Sequence, residues 1–444
     1  MDSITGSTAT EIAESVRNLG ERGMLRPGDA LPSVRALAET LGVNRNTVVA
    51  AYRQLAQAGV AQTHGRAGTR LVNHSPAPQE GFAADSVLHD VGTGNPDPTL
   101  IPDPSSALPA VIGRPVLYGE PVIDDALQRW AHDWMSRDLP GRPLRLTVTG
   151  GAVDAVERLL AQALTRDDAV ALEDPCWLAG IQTARLGGYR TVPVPIDEEG
   201  MTVSGLRAAL DAGVRAVVCT PRAQNPTGAS LSAERATALR DVVAAHPYVL
   251  IIEDDHFSLL SQHPFHSIVP QDHRRFALVR SVSKFLGPDM CLAMVASDPT
   301  TADRLALRLS PGTTWVSHLL QRLAHTLLTD SGALEGIATA GRHYAARNAA
   351  FADRLARHSV GVPGLDAASR DGLNLWVTLP VAAHDVSEQL MRRGWLARGG
   401  DDFTLSDDAS RHLRLTVHDL SDDDAERLAR DLVAAVAAAR AKVG

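Results

Sequence analysis

The chain has 444 residues, of which 44% are hydrophobic and 21% charged, a composition typical of a globular protein with about two to four domains. The net charge of −9 argues against a protein that is coated with nucleic acid over its whole surface, but it permits one basic module. The N-terminal residues lack the basic and apolar run of a secretory signal, and the alanine-rich stretch after Asp431 is too short to span a bilayer. Cys176, Cys219 and Cys291 are scattered without metal-ligand spacing, so we expect a cytoplasmic protein with no metal site and no membrane partner.

Positive charge is concentrated near the N terminus. Residues 1–75 contain eight arginines and six acidic residues, a net charge of +2, which leaves −11 for the remainder. The next segment is rich in proline, glycine and polar residues and is typical of a linker. We therefore expect a first domain at 1–75, a linker at 76–88 and a large domain at 89–444, with any nucleic-acid contact in the first domain.

The first domain predicts three helices and a hairpin. The first helix is indicated by the helical spacing of the apolar residues Ile12, Val16 and Leu19, and the second by Ser33 as its N-cap. The third contains the apolar residues Val48, Val49, Tyr52 and Leu55. Residues 60–63 and 69–72 flank a glycine-rich tip that carries Arg66, and they predict a two-stranded wing. Arg45, Asn46 and Thr47 begin the third helix, where a recognition helix meets base edges. Three amphipathic helices alone are usually a bundle, so it is the polar positions and the basic wing that favour DNA binding.

Short apolar runs alternate with helical stretches from residue 89 onward. Strands are predicted at 146–149, 169–172, 214–220, 248–252, 276–279 and 292–296, and helices at 153–164 and 233–244. This alternation predicts an α/β fold with a doubly wound, mostly parallel sheet, in which ligands bind beyond the carboxyl ends of the strands.

Lysine is very rare in this chain, because only Lys284 and Lys442 account for lysine among 43 basic residues. Arginine stays protonated in proteins, whereas a buried lysine can lose its proton and attack a carbonyl carbon. Lys284 lies deep in the large domain, and it predicts a Schiff-base lysine for a carbonyl cofactor. The alternative is a surface lysine without a function.

Further candidate residues follow the predicted strands. Residues 151–153 open a helix after the strand at 146–149, where backbone N–H groups suit a phosphate. Asp254 follows the strand at 248–252 and is placed to bond a pyridinium nitrogen, and the Asn225 amide to bond a ring hydroxyl. Each of these features has an ordinary turn as its alternative, and for Asp255 we expect a turn cap.

Both parts of the chain resemble known families. Residues 9–72 resemble the GntR-type winged helix, through 31–35, 44–48 and the wing. Residues 89–444 resemble fold-type-I pyridoxal 5′-phosphate (PLP) enzymes of the aspartate aminotransferase class, with a smaller C-terminal α+β subdomain. The motifs stand in the family's order: Tyr118-Gly119, Gly151-Ala152, Pro175-Cys176-Trp177, Asn225-Pro226-Thr227-Gly228, Asp254-Asp255-His256, Ser281-Val282-Ser283-Lys284 and Arg414-Leu415. The combination is similar to the MocR subfamily of GntR regulators, and residues 43–52, 221–230, 254–257 and 280–284 resemble most a branch tied to vitamin B6 salvage.

The resemblance implies a role for each site residue. Lys284 would attach PLP through an imine, Asp254 would pair with the pyridine nitrogen, and Asn225 and His256 would reach the ring oxygen. Trp177 would stack on the ring and Tyr118 would reach the cofactor of the neighbouring subunit, although core packing is the alternative for both. The phosphate would be held by Ser281, Ser283 and the backbone of Gly151, Ala152 and Val153. Arg414 would bind a substrate or effector carboxylate. Arg35, Arg45, Asn46, Thr47 and Arg66 would contact DNA.

Two positions depart from the enzyme pattern. His256 stands where the family usually has tyrosine, and Cys291 stands where it has a phosphate-binding arginine. The loss of that charge-assisted bond would cost about 1.5–3 kcal/mol of cofactor binding. Either another arginine compensates for this loss or the cofactor binds weakly and reversibly, which suits a sensor of the cofactor better than an enzyme.

These observations predict a homodimeric transcription factor that binds PLP as its effector and double-stranded operator DNA. In this hypothesis PLP attaches to Lys284, shifts the dimer between two arrangements and changes the spacing of the winged helices. One alternative is a PLP-dependent aminotransferase with an appended DNA-binding domain. Another is a scaffold that binds no cofactor and responds to a different ligand.

Overall fold

The computed structural model describes residues 3–26, 28–57, 60–63, 68–71, 80–81, 86–312, 314–367, 370–406 and 409–443. The chain divides into two compact units, Met1–Gln79 and Glu80–Gly444. Each unit has a hydrophobic core of its own.

The first unit contains the three predicted helices and the predicted hairpin. Its elements are α1 (Ala9–Glu21), α2 (Val34–Leu41), α3 (Arg45–Gln57), β1 (Ala61–Thr63) and β2 (Thr69–Leu71). The Ser33 hydroxyl caps α2 by accepting from the backbone N–H of Ala36 at 3.2 Å, and α2 ends at Gly42, whose φ of 65° is left-handed. Ile12, Val16 and Leu55 are fully buried between the helices.

One apolar position of the third helix is exposed. Val49 is 40% exposed, whereas Val48 beside it is buried, because consecutive residues of a helix point about 100° apart. The antiparallel pairing of β1 with β2 confirms the wing strands. Arg66, at the tip of the predicted wing, lies outside the described residues.

The second unit contains eleven helices and fourteen strands within the described residues. The helices are α4 (Leu108–Val111), α5 (Asp125–Ser136), α6 (Ala152–Ala163), α7 (Leu178–Gly187), α8 (Val203–Asp211), α9 (Ala233–Ala244), α10 (Pro299–Leu309), α11 (His318–Thr329), α12 (Ser331–His358), α13 (Ala383–Met391) and α14 (Asp422–Val443). The strands are β3 (His89–Asp90), β4 (Arg145–Thr149), β5 (Ala169–Asp174), β6 (Arg190–Asp197), β7 (Gly200–Met201), β8 (Ala216–Cys219), β9 (Leu250–Asp254), β10 (Phe276–Ser281), β11 (Ala293–Ser297), β12 (Asp366–Ala367), β13 (Asn374–Thr378), β14 (Trp395–Leu396), β15 (Arg398–Gly399) and β16 (His412–Thr416).

The large sheet has the predicted doubly wound form, with the strand order β4-β11-β10-β9-β8-β5-β6-β7. Strands β10, β9, β8, β5 and β6 are parallel, whereas β11 runs antiparallel to both of its neighbours. Helices cover both faces, so successive residues of β9 enter different cores: Leu250 and Ile252 pack with α6, α7 and α10, and Ile251 packs with the helices opposite.

Strand β6 was not predicted from the sequence. It contains Pro193 and Pro195, and proline has no N–H to donate to a neighbouring strand, so it is disfavoured in a strand that is paired on both sides. Only Ile196 and Asp197 at its end pair with β7, so the strand is an edge over most of its length and tolerates both prolines.

A smaller sheet confirms the expected C-terminal subdomain. Its order is β12-β13-β16-β15, and it packs against α13 and α14 through a separate core. Within the part of the chain that the structure describes, no helix is both long enough and apolar enough to cross a membrane.

Candidate cofactor site

The predicted site residues converge at one edge of the large sheet. Asp254 is the last residue of β9, Asn225 follows β8, Trp177 follows β5, and Lys284 follows β10. These four strands are parallel and adjacent, so their carboxyl ends lie side by side. Asn225, His256 and Lys284 line one cleft.

Strand register brings the predicted phosphate-binding groups together. Ala293 on β11 pairs with Ser281 on one side and with Thr149 on the other, so the end of β10 and the start of α6 flank the same residue. Gly151 has a φ of 112°, which only glycine adopts without strain, and it turns the chain into α6. The first N–H groups of a helix have no partner within that helix, so the start of α6 is suited to bind a phosphate at this edge of the sheet.

Ser281 and Ser283 are joined by hydrogen bonds. The Ser281 hydroxyl donates to Ser283 Oγ at 3.1 Å and accepts from the backbone N–H of Ser283 at 3.2 Å. This holds both hydroxyls at the end of β10, next to the start of α6. The pair fits the predicted phosphate contacts.

Asp254 is a buried carboxyl group with an oxygen that lacks a partner. Its side chain is 2% exposed, and its Oδ1 has no hydrogen bond to any described atom. Burial, together with the nearby Asp255 and Glu173 carboxylates, raises the pKa of Asp254 to about 7. A buried, unpaired acceptor of this kind is costly unless a donor such as a pyridinium N–H arrives.

The prediction that Asp255 caps a turn is wrong. Its carboxylate, which is fully buried, receives the guanidinium groups of Arg222 at 2.6 Å and Arg280 at 2.8 Å. Burial by itself would raise the pKa of Asp255, but the two guanidinium groups outweigh it and hold the pKa below its usual value. Asp255 therefore stays ionised, and its negative charge helps to keep the neighbouring Asp254 protonated when no cation is present.

Lys284 points into the cleft and donates from Nζ to the backbone oxygen of Gly94 at 3.0 Å. Burial lowers the pKa of Lys284, and the Arg414 guanidinium lowers it further, while Glu80 opposes both. A lowered pKa increases the fraction of neutral amine, which is the nucleophilic form.

His256 lines the cleft, and Trp177 follows the end of β5. Burial and the charge of Lys284 lower the pKa of His256 to about 4, so its imidazole is neutral at physiological pH and can still donate one hydrogen bond. The Trp177 indole lies over Gly180, where a Cβ atom would be 2.6 Å from Nε1, and that nitrogen has no hydrogen-bond partner among the described atoms. The glycine therefore leaves room for the indole.

Arg414 lies on β16, in the smaller sheet, and its side chain is completely buried. Its guanidinium donates to Asn225 Oδ1 at 3.2 Å and to the backbone oxygen of Gly92 at 2.7 Å. The guanidinium also packs over the Phe403 ring, with 4.8 Å between Cζ and the ring centroid. Arg414 is therefore rigidly oriented, as the prediction of a carboxylate-binding residue requires.

Two residues of this site were missed by the sequence analysis. Glu80, which was assigned to the linker, extends its carboxylate onto Arg414 at 2.7 Å and accepts from the Asn225 amide at 3.1 Å. Gly94 lies between them and Lys284, and a Cβ there would be 2.6 Å from Glu80 Oε2. The run Gly92-Thr93-Gly94 was the available signal for a close approach, whereas no local pattern identifies Glu80.

Tyr118 and Cys291 lie at the surface of the unit. Tyr118 is 89% exposed and contacts Trp315 edge to face, so the alternative of core packing is wrong for this residue. Cys291 is also exposed and lies two residues before Ala293, which pairs with Ser281, one of the predicted phosphate-binding residues.

Four of the predicted DNA-binding residues lie in the first turns of two helices of the first unit. Arg35 is exposed in the first turn of α2, and Arg45 and Asn46 are exposed at the start of α3. Thr47 is half-buried beside them. The N-terminal turn of a second helix in a helix-turn-helix is the part that meets the major groove.

Comparisons with known proteins agree with both units. Residues 8–71 match the family model described as bacterial regulatory proteins, gntR family, and residues 114–432 match aminotransferase class I and II. The fold and the site thus define a winged-helix regulator with an aminotransferase-like domain. The chain belongs to the MocR subfamily of GntR-type regulators, whose members combine these two domains.

Individual relatives and solved structures match large parts of the chain. The chain is 44% identical to the vitamin B6 salvage pathway transcriptional repressor PtsJ of Salmonella typhimurium, over 97% of this chain and 98% of the relative. It is 29% identical to the pyridoxine biosynthesis transcriptional regulator PdxR of Corynebacterium glutamicum, over 68% of this chain and 69% of the relative. Its fold is similar to the multiple substrate aminotransferase of Thermococcus profundus, with a TM-score of 0.73 and 21% identity over 81% of this chain and 93% of that structure.

Proposed function

We propose that this protein is a transcription regulator that binds PLP through Lys284 as its effector and controls vitamin B6 salvage or a related pathway. The observation that carries the proposal is the buried, unpartnered oxygen of Asp254, which shares a strand-end site with Lys284. The names of the PtsJ and PdxR relatives support vitamin B6 metabolism as the controlled process.

The residues of the site fit PLP. When bound, PLP supplies an aldehyde carbon and an electron-withdrawing ring. Lys284 provides a buried amine with a lowered pKa, and Asp254 provides an acceptor for the ring N–H. Ser281 and the start of α6 provide donors for the phosphate. Neutral His256 and the Asn225 amide line the cleft with Lys284 and would donate to the ring oxygen in the family pattern.

A homodimer is part of this proposal. The segment before α5 exposes several large apolar side chains, and one more lies on α11: Leu108 51%, Ile112 82%, Leu117 64%, Tyr118 89%, Val122 43% and Leu319 56%. Exposed apolar residues that cluster in this way are typical of a subunit interface. A symmetric dimer would present two winged helices to the two halves of an operator.

An absorbance titration with PLP tests the attachment. The chain has only two lysines, so Lys442→Ala is a matched control for Lys284→Ala. Lys442 is paired with Glu388 at the protein surface. We expect an imine band in the wild type and in Lys442→Ala but not in Lys284→Ala. A band of equal size in all three proteins would refute attachment at Lys284.

A DNA-binding measurement tests the regulation. An operator selected from random double-stranded oligonucleotides would be titrated with and without saturating PLP. We expect the affinity to change by about 5- to 150-fold in the wild type, the usual range of coupling between two sites, and to stay constant in Lys284→Ala. Equal operator affinity with and without PLP would refute the role of PLP as effector.

The second candidate function is an aminotransferase with an appended DNA-binding domain. The observation that favours it is Arg414, a buried and oriented arginine that suits a substrate carboxylate. This function predicts that an amino acid converts bound PLP to pyridoxamine phosphate over repeated turnovers with a keto acid.

A further inference from the structure

Arg414 already holds a carboxylate supplied by its own chain. Glu80 Oε1 accepts from the Arg414 guanidinium at 2.7 Å and from the Asn225 amide at 3.1 Å. A ligand carboxylate bound to Arg414 would need these donors. Glu80 is the first residue of the second unit and lies 334 positions before Arg414, so the pairing is made by the fold and not by proximity in sequence.

The position of Glu80 is fixed by close packing and by the charges around it. Gly94, with a φ of 67°, is closely packed against Arg414 and Glu80, because a Cβ atom there would lie 2.9 Å from one and 2.6 Å from the other. Burial alone would raise the pKa of Glu80, but the charges of Arg414 and Lys284 and the hydrogen bonds to Arg414 and Asn225 lower it to about 2. Glu80 therefore remains ionised across the physiological range and competes as a full negative charge.

We propose that Glu80 is a specificity-determining residue that occupies the carboxylate position on Arg414 and makes the site select PLP alone over PLP with an α-amino acid. An amino acid must displace a carboxylate that is held in place at a high effective concentration. The apparent affinity for a ligand falls in proportion to the fraction of protein in which its position is free. This inference rests on the proposed function for the role of PLP, but the competition at Arg414 itself needs no cofactor.

The competition can be measured on cofactor-free protein with succinate as the carboxylate probe. Thermal unfolding would be followed by tryptophan fluorescence, which reports the second unit because all six tryptophans lie in it. Glu80→Ala removes the side chain, and Glu80→Gln removes only its charge. Glu335→Ala is the matched control, since it breaks an exposed ion pair with Arg342 on α12.

We expect succinate to raise the unfolding temperature of both Glu80 variants at concentrations about tenfold or more below those needed by the wild type and by Glu335→Ala. Adding Arg414→Ala to Glu80→Ala should abolish the effect. Equal responses in the wild type and the Glu80 variants, or no response in either Glu80 variant, would overturn the inference. If Glu80→Ala does not fold, Glu80→Gln gives the same comparison.

A second measurement uses the PLP-loaded protein and L-alanine. The amine of L-alanine can replace the Lys284 amine on the cofactor carbon and release the lysine, which alters the imine absorbance. We expect this exchange in Glu80→Ala at about tenfold lower L-alanine than in the wild type. Identical exchange in both proteins would overturn the inference. Succinate binding by the Glu80 variants without PLP attachment to Lys284 would refute the proposed function and leave only the competition at Arg414 standing.

Discussion

Replacing Asp254 with asparagine should have opposite effects on the cofactor-free and the cofactor-bound protein. The pKa of Asp254 is raised from 3.8 to about 7 because the carboxyl is buried beside Asp255 and Glu173. A group with a raised folded-state pKa contributes stability fully below its unfolded pKa, and that contribution is lost as the pH rises through the folded value. Asparagine has the same shape and no charge at any pH. The variant should therefore be increasingly more stable than the wild type as the pH rises.

The size of this effect follows from the pKa shift. A shift of about three units corresponds to roughly 4 kcal/mol in total, of which about 2.5 kcal/mol should appear between pH 5 and pH 8. Glu173 and Glu253, whose pKa values burial also raises to about 7, titrate in both proteins and largely cancel in the difference. Urea unfolding followed by tryptophan fluorescence measures the free energy of unfolding of each protein at the two pH values.

In the PLP-bound protein, replacing Asp254 with asparagine should be unfavourable. A pyridinium N–H pairs with an ionised Asp254, and a hydrogen bond to a charged group contributes about 1.5–3 kcal/mol, so Asp254→Asn should weaken PLP binding about 10- to 100-fold. The absorbance titration that tests Lys284 gives this number. A stability difference that does not vary between pH 5 and pH 8 would refute the reasoning about the buried charge, and unchanged PLP affinity would refute the pairing with the ring.

Three further changes have defined outcomes. Cys291→Arg places a cation beside the phosphate-binding groups, so the PLP affinity measured by absorbance should rise about 10- to 100-fold, and no change would mean that the side chain does not reach the phosphate. Gly94→Ala forces a Cβ to within 2.6 Å of Glu80 and should lower the urea-measured free energy of unfolding by about 1–3 kcal/mol, so an unchanged value would contradict the close packing. Arg45→Ala should weaken operator binding and reduce the slope of log affinity against log salt by about one if Arg45 contacts a phosphate, whereas Arg17→Ala, which only breaks an exposed pair with Glu14, should change neither.

Much of the fold could be predicted from the sequence because helices and strands depend mainly on neighbouring residues. The alternation of apolar strands and amphipathic helices predicted the doubly wound sheet, and α9 was predicted with the bounds that the structure has. Ser33 marked the start of α2 through a capping preference that depends on a few neighbouring residues. Strand β6 was missed because its prolines are tolerated only on an edge, and a strand becomes an edge through its neighbours in the sheet.

Part of the candidate site could be predicted from the sequence for the same reason. The order of the residues along the chain indicated which side chains follow the strand ends, and the rarity of lysine singled out Lys284. The structure then brought Asn225, His256 and Lys284 into one cleft, as parallel strands require. The roles assigned to these residues through the family pattern stay predictions until the PLP titration is made.

Which charged groups pair with each other depends on the tertiary fold. Asp255 was expected to cap a turn but binds Arg222 and Arg280, which are 33 and 25 positions away, and Glu80 was expected in a linker but lies on Arg414. Periodicity and capping record how a residue suits its own helix or strand. The partner of a buried charge is set by which elements the fold brings together, and at Arg414 that choice determines whether a ligand carboxylate meets a free guanidinium or an occupied one.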